Sequence, residues 1–339
     1  MKTKQKRILI VRPDRIGDVV LSTPIPREIK RTFPDSFVAI MLKKYTSDIY
    51  LNNPYIDKII LIDNRDDGSI EGFWRKVNEI KSYKFTHALM LLPNERINYI
   101  LFFAGIPYRV GVGHKLYQFL TFTHYVNRNK YNPLRHEADY CMDLARKIGV
   151  TTNNLVPEIF LTNEEKEKAV YLRKNFLDGK KFLIGIHSTS GNSAPNWTAG
   201  SYKELVMKLI ERNNVRVAIT DNNPPSELLN IDDVIYPNID KSLRESIINF
   251  STLDLLLSAS TGPMHICAAL KVKTISLFCP LTACSPKLWG PLGNQSKIIM
   301  PEKEYCNEIC PGNPKICTFE GKNGIDVETV FSSIINSIS

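Results

Sequence analysis

The chain has no stretch long enough to cross a bilayer. Its most apolar internal segment, Tyr99–Ile106, falls far below the roughly 20 residues of a spanning helix. The N-terminus, MKTKQKRILIVRPDR, carries charge but only a short apolar run before Arg12, too short for a secretory signal and already patterned as a first strand. No G-x-G-x-x-G or G-x-x-x-x-G-K loop occurs, so dinucleotide and P-loop readings are poor. No D-x-D triplet supplies the clustered carboxylates that Mg2+ or Mn2+ prefers. The seven cysteines are irregularly spaced and suggest no secreted disulfide framework. No RNA- or DNA-binding signature, aromatic-basic ladder, internal repeat or low-complexity tract is visible. These absences predict a cytoplasmic globular protein without a membrane anchor, a resident metal, a cofactor or a nucleic-acid partner.

What is there fits two domains. The 339 residues are many for one core, and 43% hydrophobic with 23% charged residues is a soluble composition. Residues 1–160 hold 25 Lys+Arg against 16 Asp+Glu, whereas the rest of the chain is balanced, so the whole +9 excess lies in the first half. That half favours an anionic partner, a phosphorylated substrate or an acidic membrane surface, although surface solubilisation explains the charge equally well.

Short apolar runs at Ile8–Val11, Phe37–Leu42, Lys58–Ile62, Ala88–Leu92 and Arg109–Val112 alternate with helical patterns at Val19–Thr32, Tyr45–Asn52, Ile70–Ser82 and Glu137–Ile148. A second series has strands at Phe182–Ile186, Val215–Ile219, Val234–Tyr236, Leu255–Leu257 and Thr274–Phe278. Strands alternating with helices predict an α/β class with parallel sheets. The expected organisation is one domain over 1–155, a second over 156–325, and a last helix, Val327–Ile338, crossing back to brace the first. A cleft between the halves is the expected ligand site.

Four places could carry chemistry. The loop Arg12–Asp18 leaves the first strand, where α/β sheets bind ligands. Asp18 caps the following helix or serves as a general base. His187-Ser188-Thr189-Ser190-Gly191 leaves another strand and is either a solvated loop or a set of donors for phosphate oxygens. Ser260–His265 forms a strand-to-helix switch: Gly262 admits close approach, Pro263 suits the first turn, and the helix N-terminus attracts a phosphate or diphosphate. An ordinary capped turn is the plain alternative, and His265 is more commonly a structural residue than a catalyst. Cys306, Cys310 and Cys317, with Cys279 or Cys284, could hold zinc, but their spacing lacks a C-x2-C knuckle and no metal is expected. The acidic pairs Asp66-Asp67 and Asp232-Asp233 fit solvated turns.

These pieces resemble one family. IGDVVLSTPIPREIKRTFP, YRVGVG, HEADYCMDLARKIG, HSTSGNSAPNW and SLRESIINFSTLDLLLSASTGPMHICAALKVKTISLFCP occur in the order seen in bacterial heptosyltransferases of glycosyltransferase family 9, and the resemblance spans nearly the whole chain. The resemblance implies a GT-B architecture, two Rossmann-like domains facing across a cleft, with the acceptor in the first and a nucleotide-sugar donor in the second. It implies an inverting, metal-independent transfer from a nucleoside-diphosphate sugar such as ADP-heptose to a phosphorylated glycolipid of the lipopolysaccharide core, at the cytoplasmic face of the inner membrane. By the same resemblance Asp18 is the base, and Arg15 and Gly17 belong to the acceptor-side loop. Ser188, Thr189, Ser190, Ser260, Thr261, Gly262, Pro263, Met264 and His265 line the donor phosphates, and Glu227 contacts the donor ribose. The chain departs from the family pattern twice. Pro195 stands where a Lys is frequent before Trp197, and Ser260 stands where the first-characterised members have Asp. These departures leave the sugar and the nucleotide open. A nucleotide-sugar epimerase of the same architecture, or a binding protein without transfer, remain the rival readings.

Overall fold

The run Arg7–Val11 is apolar at every position after its first and becomes β1, a strand buried along that whole stretch. Such unbroken apolar runs suit parallel strands covered on both faces. A computed structural model describes residues 5–62, 69–191 and 194–338. The pair Asp66-Asp67 lies outside the described residues.

The chain divides into two compact units, Met1–Phe160 and Leu161–Ser339, a division slightly later than the expected 155/156. The first contains β1, β2 (Phe37–Leu42), β3 (Lys58–Leu61), β4 (His87–Met90), β5 (Tyr108–Val112) and β6 (His124–Val126). They pair in parallel in the order β3-β2-β1-β4-β5-β6. The second contains β7 (Phe182–His187), β8 (Val215–Ile219), β9 (Val234–Ile235), β10 (Leu255–Ala259), β11 (Lys273–Leu277) and β12 (Ser296–Ile299), in the order β12-β11-β10-β7-β8-β9. Counted from its own first strand, the second sheet repeats the order of the first. The α/β class with two Rossmann-like parallel sheets is therefore the one found.

Both orders reverse once, between β1 and β4 and between β7 and β10. Crossovers leave in opposite directions there, and the gap at the carboxyl ends of the strands admits a ligand. The loops that follow β1, β7 and β10 lie at these ends.

Two expectations change. The helix expected over Val19–Thr32 is two helices, Ile16–Leu21 and Pro24–Thr32. Pro24 and Pro26 lack the N–H groups that a continuous helix would use, so the chain restarts with proline in a first turn. Edge strands β6 and β12 were not expected; β6 is three residues long and β12 has an exposed, polar start. The C-terminal helix, Val327–Ile338, packs on the second unit. It lies on helix Ala199–Ile210, and Val330 and Ile334 are buried in that unit's core. Lys273 Nζ donates to the Ser337 carbonyl at 2.8 Å and Lys208 pairs with Glu328 at 2.5 Å.

Candidate active site

In the first unit, Arg12 follows β1 and is fully buried. Its N–H continues the ladder to the Met41 carbonyl at 3.0 Å. A guanidinium stays charged, so it must be paired where it is buried. Arg12 donates from Nη2 to Asp18 Oδ1 at 2.6 Å and to Glu137 Oε1 at 3.2 Å, and from Nη1 to the Leu91 carbonyl at 3.1 Å. Arg128 grips the same Glu137 with both terminal nitrogens, at 2.6 and 2.9 Å. Cys141 donates to Glu137 at 3.3 Å, its thiol kept protonated because burial pushes its pKa up. Asp14 stands 3.8 Å from Arg12. Its backbone carbonyl accepts from the Tyr45 hydroxyl at 2.8 Å.

This cluster sets two guanidinium groups against three carboxylates. Burial weighs most on Asp18, which the single ion pair to Arg12 only partly offsets. Its pKa is pushed up to about 6, first by burial and then by the Asp14 and Glu137 carboxylates, with Arg12 opposing. Its side chain keeps 18% of its exposure, so a reactant can still reach it. Asp18 does not cap its helix. Arg15 occupies the cap position, the helix starts at Ile16, and Asp18 sits in the first turn with its carboxylate turned to Arg12. Arg15 is exposed and Gly17 half-buried beside it.

In the second unit, the segments after β7 and β10 are brought together because those strands pair directly, with His187 opposite Ser258. Asp221, buried after β8, organises the first segment. It accepts from the Ser188 N–H at 2.9 Å and hydroxyl at 3.0 Å, and from the Thr189 N–H at 2.9 Å and hydroxyl at 2.6 Å. Ser188 and Thr189 thus spend their protons on Asp221 and shape the loop. Ser190 donates to the Ala194 carbonyl at 3.1 Å. Asn196 donates to the Ser188 carbonyl at 2.6 Å and accepts from the Tyr202 hydroxyl at 2.7 Å, which closes the loop on itself. Pro195, where the family often has Lys, is buried.

The second segment leads into helix Gly262–Ala269, with Pro263 in its first turn. Thr261 is the N-cap residue, yet its side chain makes no capping bond. Its hydroxyl is buried, with the residue 7% exposed, and has no hydrogen-bond partner among the described residues. The amides of Gly262 and Met264 have no acceptor within the helix, as in any first turn. An uncapped amide end beside a buried, unpartnered hydroxyl suits an anion. Met264 and His265 are buried in the first turn, and Ser260 is half-buried ahead of it. Glu227 is exposed on the turn Ser226–Leu228 after β8 and accepts from the Ser226 hydroxyl at 3.0 Å.

Among the cysteines, Cys279, Cys284 and Cys317 join the core of the second unit, and Cys310 lies 3.9 Å from Cys317, sulfur to sulfur. No group of three or more ligating side chains among the described residues could hold a metal ion. No helix of the described residues is long and apolar enough to cross a membrane.

Arg128, Glu137, Asn196 and Asp221 join these sites without a role expected from the sequence, and Arg12 was expected only as the start of its loop. Arg12 and Asp221 had a signal: each is a charged residue directly behind, or one residue behind, a buried strand. Glu137 had none, because its partner Arg12 is 125 residues away.

Residues 73–312 match the model of glycosyltransferase family 9 (heptosyltransferase). A protein of Haemophilus influenzae named as an inferred glycosyltransferase is 27% identical over 308 residues, 87% of this chain and 88% of its own. The fold is similar to that of a glycosyltransferase family 9 protein from Veillonella parvula, with a TM-score of 0.79 and 21% identity over 100% of this chain and 98% of that one. It is also similar to the E. coli ADP-heptose lps heptosyltransferase II, with a TM-score of 0.74 and 16% identity over 98% of each chain.

Proposed function

The chain belongs to glycosyltransferase family 9, and from that premise we propose that it moves a heptose or related sugar from a nucleoside-diphosphate donor, ADP-heptose first among candidates, to a phosphorylated glycolipid of the lipopolysaccharide-core type. The observation that carries the reading is Asp18: a reachable carboxylate at the switch point of the first sheet, with its pKa pushed up to about 6. A carboxylate in that range is a stronger base than an ordinary aspartate and is still ionised at neutral pH.

In the proposed reaction the Asp18 carboxylate takes the proton of an acceptor hydroxyl. The hydroxyl oxygen forms a bond to the anomeric carbon from the face opposite the leaving group. The bond from that carbon to the diphosphate oxygen breaks, its electron pair stays on the diphosphate, and the configuration inverts. Arg12 and Glu137 hold Asp18 in place. The helix end at Gly262 and the Thr261 hydroxyl receive the diphosphate, with Ser260, Pro263, Met264 and His265 forming the turn. Preorganised donors at a developing charge are worth about 10²–10³ in rate for each one removed. The loop Ser188–Ser190, held by Asp221, borders the same opening, and Glu227 is the ribose contact. Arg15 and Gly17 flank the acceptor. The +9 charge of the first 160 residues supports an anionic acceptor at the cytoplasmic face of the inner membrane.

Thermal shift with ADP, GDP, UDP and CDP tests the donor, because a ligand that binds only the folded state raises apparent stability with its concentration. ADP is expected to give the largest shift, followed by transfer from ADP-heptose to a heptose-deficient core glycolipid. A larger shift with UDP, and turnover of a UDP-sugar without acceptor, would replace transfer by epimerisation. Transfer is expected to survive EDTA; abolition by EDTA with restoration by a divalent ion would end the metal-independent reading.

A further inference from the structure

Segment 116–122 of the first unit puts its apolar side chains outward. Leu116 is 75%, Phe119 78% and Phe122 81% exposed, and Leu120 is exposed as well. A solubilising turn would not place three such side chains side by side, and contiguous exposed apolar surface marks an interaction site. The segment is not loose. Gln118, Thr121 and Thr123, interleaved with the outward residues, are buried. The Thr121 carbonyl accepts from Arg109, and its hydroxyl accepts from Asn98 at 2.7 Å. Thr123 donates to Asn98 at 3.1 Å, and Gln118 to the Val112 carbonyl at 3.3 Å.

Phe122 adds a second observation. Its φ is +53°, a left-handed conformation that bulky residues rarely adopt. The buried polar net on both sides holds the backbone there, and the result is a fully presented ring. Strain of this kind persists where the surroundings over-determine it and clusters at functional positions.

The charge around the segment selects its partner. Leu116, Phe119 and Phe122 themselves border an open hollow of about 680 Å³, which they share with Lys115, Lys147, His114 and His124 and, among the described residues, with no carboxylate. Both lysines are exposed. Apolar tips flanked by cations match a surface with anionic headgroups above a hydrocarbon layer. We infer that segment 116–122 is the membrane-docking element of this protein: Phe119, Phe122, Leu116 and Leu120 enter the headgroup–acyl boundary of an anionic bilayer, and Lys115 and Lys147 pair with its headgroups. The inference rests on the proposed membrane-side acceptor and gives that contact a place.

The test is co-sedimentation of the full chain with phosphatidylcholine vesicles with and without 30% phosphatidylglycerol, at low and high salt. The parent is expected to bind the anionic vesicles and to release as salt rises, since charges are screened over about 10 Å at 0.1 M. Phe119→Ser and Phe122→Asn are each expected to lower partition about tenfold, from the burial of one ring. Asn accepts a left-handed backbone, so Phe122→Asn is expected to melt no lower than the parent while binding worse, which a structural role for the ring would not produce. Lys115→Gln with Lys147→Gln is expected to flatten the salt dependence. Tyr171→Ser, at an exposed ring of the second unit, is expected to change nothing. If the parent binds and the two Phe variants bind equally, this placement is wrong and the membrane reading stands. If the parent ignores anionic vesicles at every salt, both fall. If the Phe variants instead convert a sedimenting dimer to monomer with vesicle binding unchanged, the face is for self-association and the inference is overturned.

Discussion

At the carboxyl end of β1 stand two guanidinium groups, three carboxylates and a thiol; at the carboxyl ends of β7 and β10 stand hydroxyls, amides and one carboxylate, Asp221. The two sheets have the same strand order and open at the same reversal. Topology therefore decides where each site is and says nothing of what it does. The first opening is a charge cluster in which burial holds one carboxylate, Asp18, at a raised pKa, which suits moving a proton. In the second, the one carboxylate is consumed by four donors, and the uncapped helix end beside it suits holding an anion. A free carboxylate in the second opening would repel a diphosphate.

Asp18→Asn separates the two openings most strongly. It removes the proton acceptor and keeps an oxygen for Arg12. Turnover is expected to fall by about 10²–10⁴, with nucleotide affinity unchanged because the proposed donor turn belongs to the other unit. Single-turnover kinetics and calorimetric titration of the diphosphate separate the two. Turnover within about threefold of the parent would remove Asp18 from the mechanism.

The counterpart in the second unit is Asp221→Ala. It strands two N–H groups and two hydroxyls in a buried loop. The expected loss is about 3 kcal/mol of stability, read by denaturant unfolding, together with weaker nucleotide binding. A variant as stable as the parent would mean that the loop does not depend on this carboxylate.

The pH dependence sharpens the contrast further. The Asp18 pKa is about 6 when folded against 3.8 ordinarily, so between about pH 4 and pH 6 the folded state binds more protons than the unfolded one. The contribution of this group to stability is then greatest below pH 4 and falls as pH rises through the window, by about 3 kcal/mol in all. Asp18→Asn should remove that slope, gaining on the parent as pH rises from 4 to 7 in denaturant titrations. The acid limb of kcat/KM should fall near pH 6, because the base must be ionised. A limb near pH 4 would contradict the raised pKa.

Thr261→Val has the smallest expected effect on stability. The hydroxyl has no hydrogen-bond partner among the described residues, so removing it should leave stability unchanged or slightly raised. Diphosphate affinity should drop about tenfold, the worth of a hydrogen bond to a charged group. Unchanged affinity would leave the helix end without its side-chain donor.

The alternation of apolar strands and amphipathic helices was written locally, and with it the α/β class and the two-unit organisation, because a parallel strand buried on both faces must be a continuous apolar run. The three loops at strand ends were visible for the same reason: a polar turn that follows such a run lies at a carboxyl edge. The edge strands β6 and β12 escaped notice because they are short and mostly exposed, with only Val126 and Ile299 buried. The chemistry of the sites was decided elsewhere. Arg12 meets Glu137 across 125 residues, and Asp221 meets Ser188 across 33. Whether Asp18 caps a helix or stands ready as a base depends on Arg12 drawing its carboxylate away, and its pKa depends on burial that no local pattern encodes. Residue type and spacing determined which groups reach a strand end; the order in which strands assemble determined which of them meet, and desolvation at that meeting determined what they can do.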